Sequence, residues 1–170
     1  EIYKDISDVY EKKRDFPKAI EAYKNYLDEM KSSPDISDLF LYGRLNYYAA
    51  TDSAYQDKQP TYLAEADTIF AQVAVKVPDN YLGNFWRARV NSLRDPETTQ
   101  GLAKPYYEAA LSILEQKPDA TKSVLVECNS YLGYYYFVKE DYNQSKQYWN
   151  KILEIDPENE TATKALGGIK

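Results

Sequence analysis

The 170-residue chain has no histidine, one cysteine, one methionine and six glycines. Without histidine there is no Ser-His-Asp or Cys-His relay, and a lone Cys128 supports neither an internal disulfide nor a cysteine–histidine zinc site. The only paired glycines, in Leu166-Gly167-Gly168-Ile169-Lys170, lack phosphate-loop spacing and read as a helix end. No apolar run approaches the ~18 residues of a spanning helix, and no alternation of apolar and polar residues lasts long enough for a sheet. Basic residues number 21 against 27 acidic, a net charge of -6. No quarter of the chain is basic, so no nucleic-acid surface is expected. The acids lie among lysines on solvated helix faces rather than as a catalytic pair, and Cys128, beside apolar neighbours, reads as a small buried hydrophobe. Accordingly no enzyme, no cofactor and no metal is expected. Asn143 and Asn159 each open an Asn-x-Ser/Thr triplet; such triplets arise by chance in polar helical chains and carry no evidence of secretion.

What the chain does have is tyrosine, 18 of them, and an internal repeat. The clearest copy runs from 132 to 157: Leu132-Gly133, then Tyr136, a short turn, a small residue at Ser145, an aromatic at Trp149 and Pro157 at the end. A small residue suits the closest approach of two helices, a large one fills the space beside it, and a proline ends the second helix. Ser7, Tyr10, Ala19, Tyr23 and Pro34 repeat the order, as do Gly43, Ala66, Phe70 and Pro78, and then Ala88, Ala103, Tyr107 and Pro118. About 11 extra residues separate Gly43 from Ala66, and they are placed within Thr51 to Gln59, a segment carrying Tyr55. The longer spacing from Ala19 to Pro34 and from Ala103 to Pro118 predicts second helices one turn longer in alternate units. An aspartate following the proline at Pro34-Asp35, Pro78-Asp79 and Pro118-Asp119 is suited to cap the next helix.

Four copies of this order resemble the tetratricopeptide repeat (TPR), a unit of about 34 residues with a W-x-x-L-G-x-x-Y, Ala, Phe, Pro framework. The chain departs from it in having Asn46 and Asn91 at the tyrosine position and no tryptophan opening any first helix. The resemblance implies an all-α fold, a right-handed α-solenoid of about four helix-turn-helix repeats closed by a short capping helix. Residues 1–170 would form one domain, with repeats at 1–34, 35–78, 79–118 and 119–157 and a cap at 158–170. The start of the chain, without methionine and within a helical pattern at Glu1-Ile2-Tyr3, reads as a piece of a longer protein. The composition is similar to that of TPR proteins of gut-type bacteria, leaving cytoplasm and cell envelope both open as localisation.

In this family the first helices line a concave groove that takes a peptide or a partner's helix. The register places Arg44 and Arg89 in that groove, each in an Arg-apolar-Asn triplet, with Asn46 and Asn91 turned into the packing and Arg87 facing elsewhere. A guanidinium can grip a carboxylate with two parallel hydrogen bonds, and Tyr47, Tyr48, Phe85, Tyr134 and Phe137 could form an apolar floor. The same arginines could instead pair with acids of a neighbouring unit. Three functions stay open: a scaffold binding a protein or peptide, a structural spacer or self-association module forming a homo-oligomer, and a carbohydrate or small-molecule receptor built on clustered tyrosines. Exposure of the aromatic side chains decides among them.

Overall fold

A computed structural model describes residues 2–30 and 32–169; the repeat limits set at Glu1 and Lys170 lie outside the described residues. Among these residues there is helix and turn but no strand. The helices are α1 (Ile2–Lys12), α2 (Phe16–Glu29), α3 (Ile36–Thr51), α4 (Gln59–Lys76), α5 (Leu82–Arg94), α6 (Lys104–Leu114), α7 (Lys122–Val138), α8 (Tyr142–Ile155) and α9 (Glu160–Gly168), with a 3-10 turn at Ser53–Lys58. They gather into two compact units, Glu1–Pro78 and Asp79–Lys170, each built from pairs of helices packed in chain order.

The small residues mark the helix crossings. A methyl group on Gly43 would lie 2.8 Å from the Phe70 ring, and one on Gly133 would lie 2.7 Å from the Trp149 ring. In the first pair the Ser7 hydroxyl donates to the Ala19 carbonyl at 2.8 Å. The core of the first unit gathers Ala19, Tyr23, Leu39, Tyr42, Leu45, Ile69 and Val73, and that of the second includes Trp149, Ile152, Ala162 and Ile169. Each large side chain so buried contributes roughly 1.5–3 kcal/mol. Asp38 is buried in the first unit, where its carboxylate accepts from the hydroxyls of Tyr23 and Tyr26 and from Lys4. Burial first, and then the Asp38 charge, hold the Tyr23 hydroxyl well above the usual phenol range.

Second helices do not alternate in length as the proline spacing predicts. They end ten residues past the small residue in α2, α4 and α8 and eleven past it in α6. The additional residues before Pro34 and Pro118 sit in the connections instead, because nothing obliges a helix to run on until it meets its proline. The proline–aspartate capping expectation holds at Asp35, whose carboxylate accepts from the Asp38 amide at 2.8 Å. Asp79 and Asp119 do not cap: Tyr81 and Thr121, the residues before α5 and α7, make no side-chain cap, and the Leu82 amide donates to Asn80 Oδ1 at 2.9 Å.

The turns inside the pairs come in two kinds. In the first and last pairs the turn is tight, with Arg14 (φ 58°) and Glu140 (φ 60°) in left-handed conformation. The next amide, of Asp15 or Asp141, donates back to the carbonyl of Tyr10 or Tyr136, and the aspartate then caps the second helix through the amide of Lys18 or Gln144. In the middle pairs the turn is long and tied by an aspartate at its start. Asp52 caps the 3-10 turn at Ala54 and pairs with Arg14 at 2.7 Å. Tyr55 packs its ring edge-on against Phe16 and donates its hydroxyl to the Arg14 carbonyl at 3.2 Å. Asp95 accepts through Oδ2 from the amides of Gln100 (3.0 Å), Gly101 (2.7 Å) and Leu102 (3.4 Å), gathering the loop before α6. Gly101 takes φ +72° against the Tyr135 ring, where a side chain would be both strained and crowded.

Candidate partner-binding site

The two arginines singled out from the sequence lie on first helices, and both already hold acids of a neighbouring first helix. Arg44 of α3 reaches Glu11 of α1 at 3.5 Å and lies over the Tyr48 ring at 5.7 Å. Tyr48 in turn meets Tyr47 at 6.1 Å and Phe16 at 6.3 Å, and both tyrosines are half-buried. In the other unit, Arg89 of α5 forms a two-pronged pair with Glu127 of α7, Nε to Oε1 at 2.7 Å and Nη2 to Oε2 at 2.6 Å. Its guanidinium also covers the rings of Phe85 and Trp86. The fork that would grip a partner's carboxylate is filled from within the chain.

Glu127, about a third exposed, borders a buried cluster. Glu127 Oε1 also accepts from the Tyr107 hydroxyl at 3.1 Å. Burial and then the Glu127 charge raise Tyr107 well above the usual phenol range and push the Cys128 thiol up to about 12. Phe85 is only 4% exposed, with its ring against Tyr81 and Tyr107. It belongs to the core rather than to an accessible floor. Asn46 and Asn91 face inward, each donating to the carbonyl four residues back, of Tyr42 and Arg87. Arg87 stacks on Tyr106 at 4.2 Å and donates to its hydroxyl.

Tyr134 and Phe137 behave differently. They are 44% and 41% exposed and sit three residues apart on α7, so both face one direction. With Trp149, Ala165, Gly168 and Ile169 they enclose a cleft of about 220 Å³, beside Lys164. The walls come from three helices, and a methyl group on Gly168 would meet nothing within 4 Å, leaving the α9 side unobstructed. Lys164 pairs with the solvated Glu160 at 3.2 Å. The sequence named Tyr134 and Phe137 but not the wall of α9. The available signal was Ala165 and Ile169, four residues apart in a segment otherwise read as polar.

The arrangement offers an apolar recess with a cation at its edge and no convergence of acid, base and nucleophile. Among the described residues no cluster of metal-binding side chains is present, and no helix is long and apolar enough to cross a membrane. The crystal structure of the C-terminal part of a TPR repeat-containing protein from Cytophaga hutchinsonii aligns with 96% of this chain at 32% identity and a TM-score of 0.83. This chain has a TPR-like helical-repeat fold. It spans 58% of the length of that relative. No family model and no curated protein matches it. TPR-like folds are typically non-catalytic and serve in general as scaffolds for protein–protein contact.

Proposed function

We propose that this TPR-like chain is a non-catalytic scaffold, a single repeat domain whose first helices present a groove to a peptide segment or partner domain. The cleft between Tyr134 and Phe137 is its apolar anchor point. The observation that carries this reading is the exposure of two large rings on one face of α7, over a recess deep enough for a side chain. Of the 18 tyrosines only Tyr134 and Tyr142 are exposed. The tyrosines therefore serve packing first, and a carbohydrate platform finds little support. In the same reading Arg44 and Arg89 hold the first helices to one another, and Tyr47 and Tyr48 complete the framework around Arg44. A second reading, self-association, is favoured by one observation: α1 exposes Ile2 (67%), Ile6 (36%) and Val9 (48%) along one face.

A random peptide library selected on the immobilised chain tests the proposal, with a Tyr134→Ser, Phe137→Ser double variant as comparison. The expected result is an enriched set of peptides with an apolar anchor residue, binding the double variant at least tenfold more weakly at unchanged helicity. Failure to enrich any peptide, or equal binding to both proteins, would remove the cleft from the site. Concentration-dependent dimerisation abolished by Ile2→Ser and Val9→Ser would instead support the second reading.

A further inference from the structure

Another cleft opens where the end of α6, the beginning of α7 and the end of α8 meet. Its volume is about 420 Å³, within the ~300–1,000 Å³ range of small-ligand pockets; Leu114, Pro118, Leu125 and Ile155 give it apolar wall, and Lys117, Lys122, Glu154 and the Lys151–Glu115 ion pair supply charge around it. Asn129, only 1% exposed, also lines it. The Asn129 Nδ2 donates to the Leu125 carbonyl at 2.8 Å. A carbonyl can only accept, so that bond sets the orientation of the amide. It leaves Asn129 Oδ1 buried with no donor among the described residues. Asn91 makes the same bond to the carbonyl four residues back, yet its Oδ1 is answered by Arg94 at 3.2 Å. An orphaned buried acceptor costs about 1–3 kcal/mol, and a ligand that supplies a donor recovers it.

The space also has an origin in the sequence. Read back from Leu132-Gly133 and Tyr136, the W-x-x-L-G-x-x-Y framework puts its large aromatic residue at position 129. Asparagine fills only part of that volume.

We infer that this cleft binds the indole of a tryptophan presented by a partner protein, with the indole N–H donating to Asn129 Oδ1. Indole is planar, apolar and a donor only. A phenyl ring would leave Oδ1 unanswered. Lys122 and Glu154 also line the cleft and have no ion pair among the described residues. They can meet charged groups on either side of the tryptophan, which a free indole does not carry.

The test is an NMR titration of the ¹⁵N-labelled chain with N-acetyl-tryptophanamide, N-acetyl-phenylalaninamide, free indole, and a tripeptide with tryptophan between glutamate and lysine. Saturable shifts at the amides of Leu125, Asn129 and Ile155 are expected. The tripeptide should bind most tightly and the phenylalanine amide at least fivefold more weakly than its tryptophan counterpart. Asn129→Leu, which keeps the volume and removes the acceptor, should bring that ratio close to one. Asn129→Trp should fill the cleft, abolish the shifts and raise Tm. Absence of saturable shifts there, equal binding of the two amides, or a lower Tm for Asn129→Trp overturns the assignment. Free indole binding as tightly as the tripeptide overturns the choice of a partner protein as its source.

Discussion

Ser145 donates its hydroxyl to the carbonyl of Gly133 at 2.8 Å, across the crossing of α7 and α8. The first pair of helices makes the same bridge in the opposite sense, from Ser7 on the first helix to Ala19 on the second, also at 2.8 Å. In each case one partner must be small for the backbones to come within reach, and the hydroxyl then ties the crossing it permits. Position and direction of the serine can be exchanged while the bridge persists.

Gly133→Ala is expected to destabilise the chain by about 1–3 kcal/mol, the usual cost of overpacking, even though alanine is the better helix former by ~1 kcal/mol. The added methyl meets the body of the Trp149 indole at 2.7 Å, a stiff ring that is itself only 6% exposed, so the clash outweighs the propensity gain. Urea denaturation measures the sign. A gain in stability would show that the ring can retreat.

Removing Arg89 should cost stability, with little effect on peptides bound at Tyr134 and Phe137. Both members of the Arg89–Glu127 pair retain about a third of their side-chain exposure, which places the coupling near 1 kcal/mol, the upper end for accessible pairs. A double-mutant cycle with Arg89→Ala and Glu127→Ala isolates it. If Arg89→Ala alone eliminated peptide binding at unchanged stability, the arginine would belong to the recognition surface after all.

Asp95 introduces a pH dependence. Burial pushes its carboxyl up, but the converging amides of Gln100, Gly101 and Leu102 outweigh this and hold it below the usual carboxylate range. Its contribution is therefore complete above about pH 4, where the carboxylate is ionised even in the unfolded chain, and is lost as pH falls through the depressed folded value. Asp95→Asn should cost about 2 kcal/mol at pH 7, the scale of hydrogen bonds to a charged acceptor. The difference from the native chain should shrink in acid, and a difference that stayed constant from pH 7 to pH 2.5 would contradict the role given to the charge.

Cys128 should resist alkylation. It is wholly buried and its thiol is pushed up to about 12, by burial first and then by the adjacent Glu127, so the reactive thiolate is scarce at neutral pH. Iodoacetamide at pH 8 should modify it only in denaturant; rapid labelling of the folded chain would reveal an opening of α7 on the experimental timescale.

The helix pairs were legible because their determinants are steric and local: Gly133 against Trp149 and Gly43 against Phe70 obey the same order in each copy. Even the longer connection after Thr51 could be located by counting. The surroundings of the arginines were not legible, since their partners Glu11 and Glu127 lie 33 and 38 residues away. One pair reaches back along the chain and the other forward, so no fixed offset announces them. Phe85 was misread for a related reason. Position along a helix distinguishes faces, but the ring's placement against Tyr107 depends on α6, whose start is displaced by the loop that Asp95 gathers.

The long turns after α3 and α5 also indicate where foreign sequence can be carried. Each is secured near its base by an aspartate, Asp52 or Asp95, and the contacts that set helix spacing lie elsewhere, at the crossings. A reporter peptide grafted at Gln56-Asp57, between two exposed residues of the 3-10 turn, would leave Asp52, Tyr55 and their partners in place. The chain would then serve as a display frame, carrying a chosen epitope with its helical core unchanged.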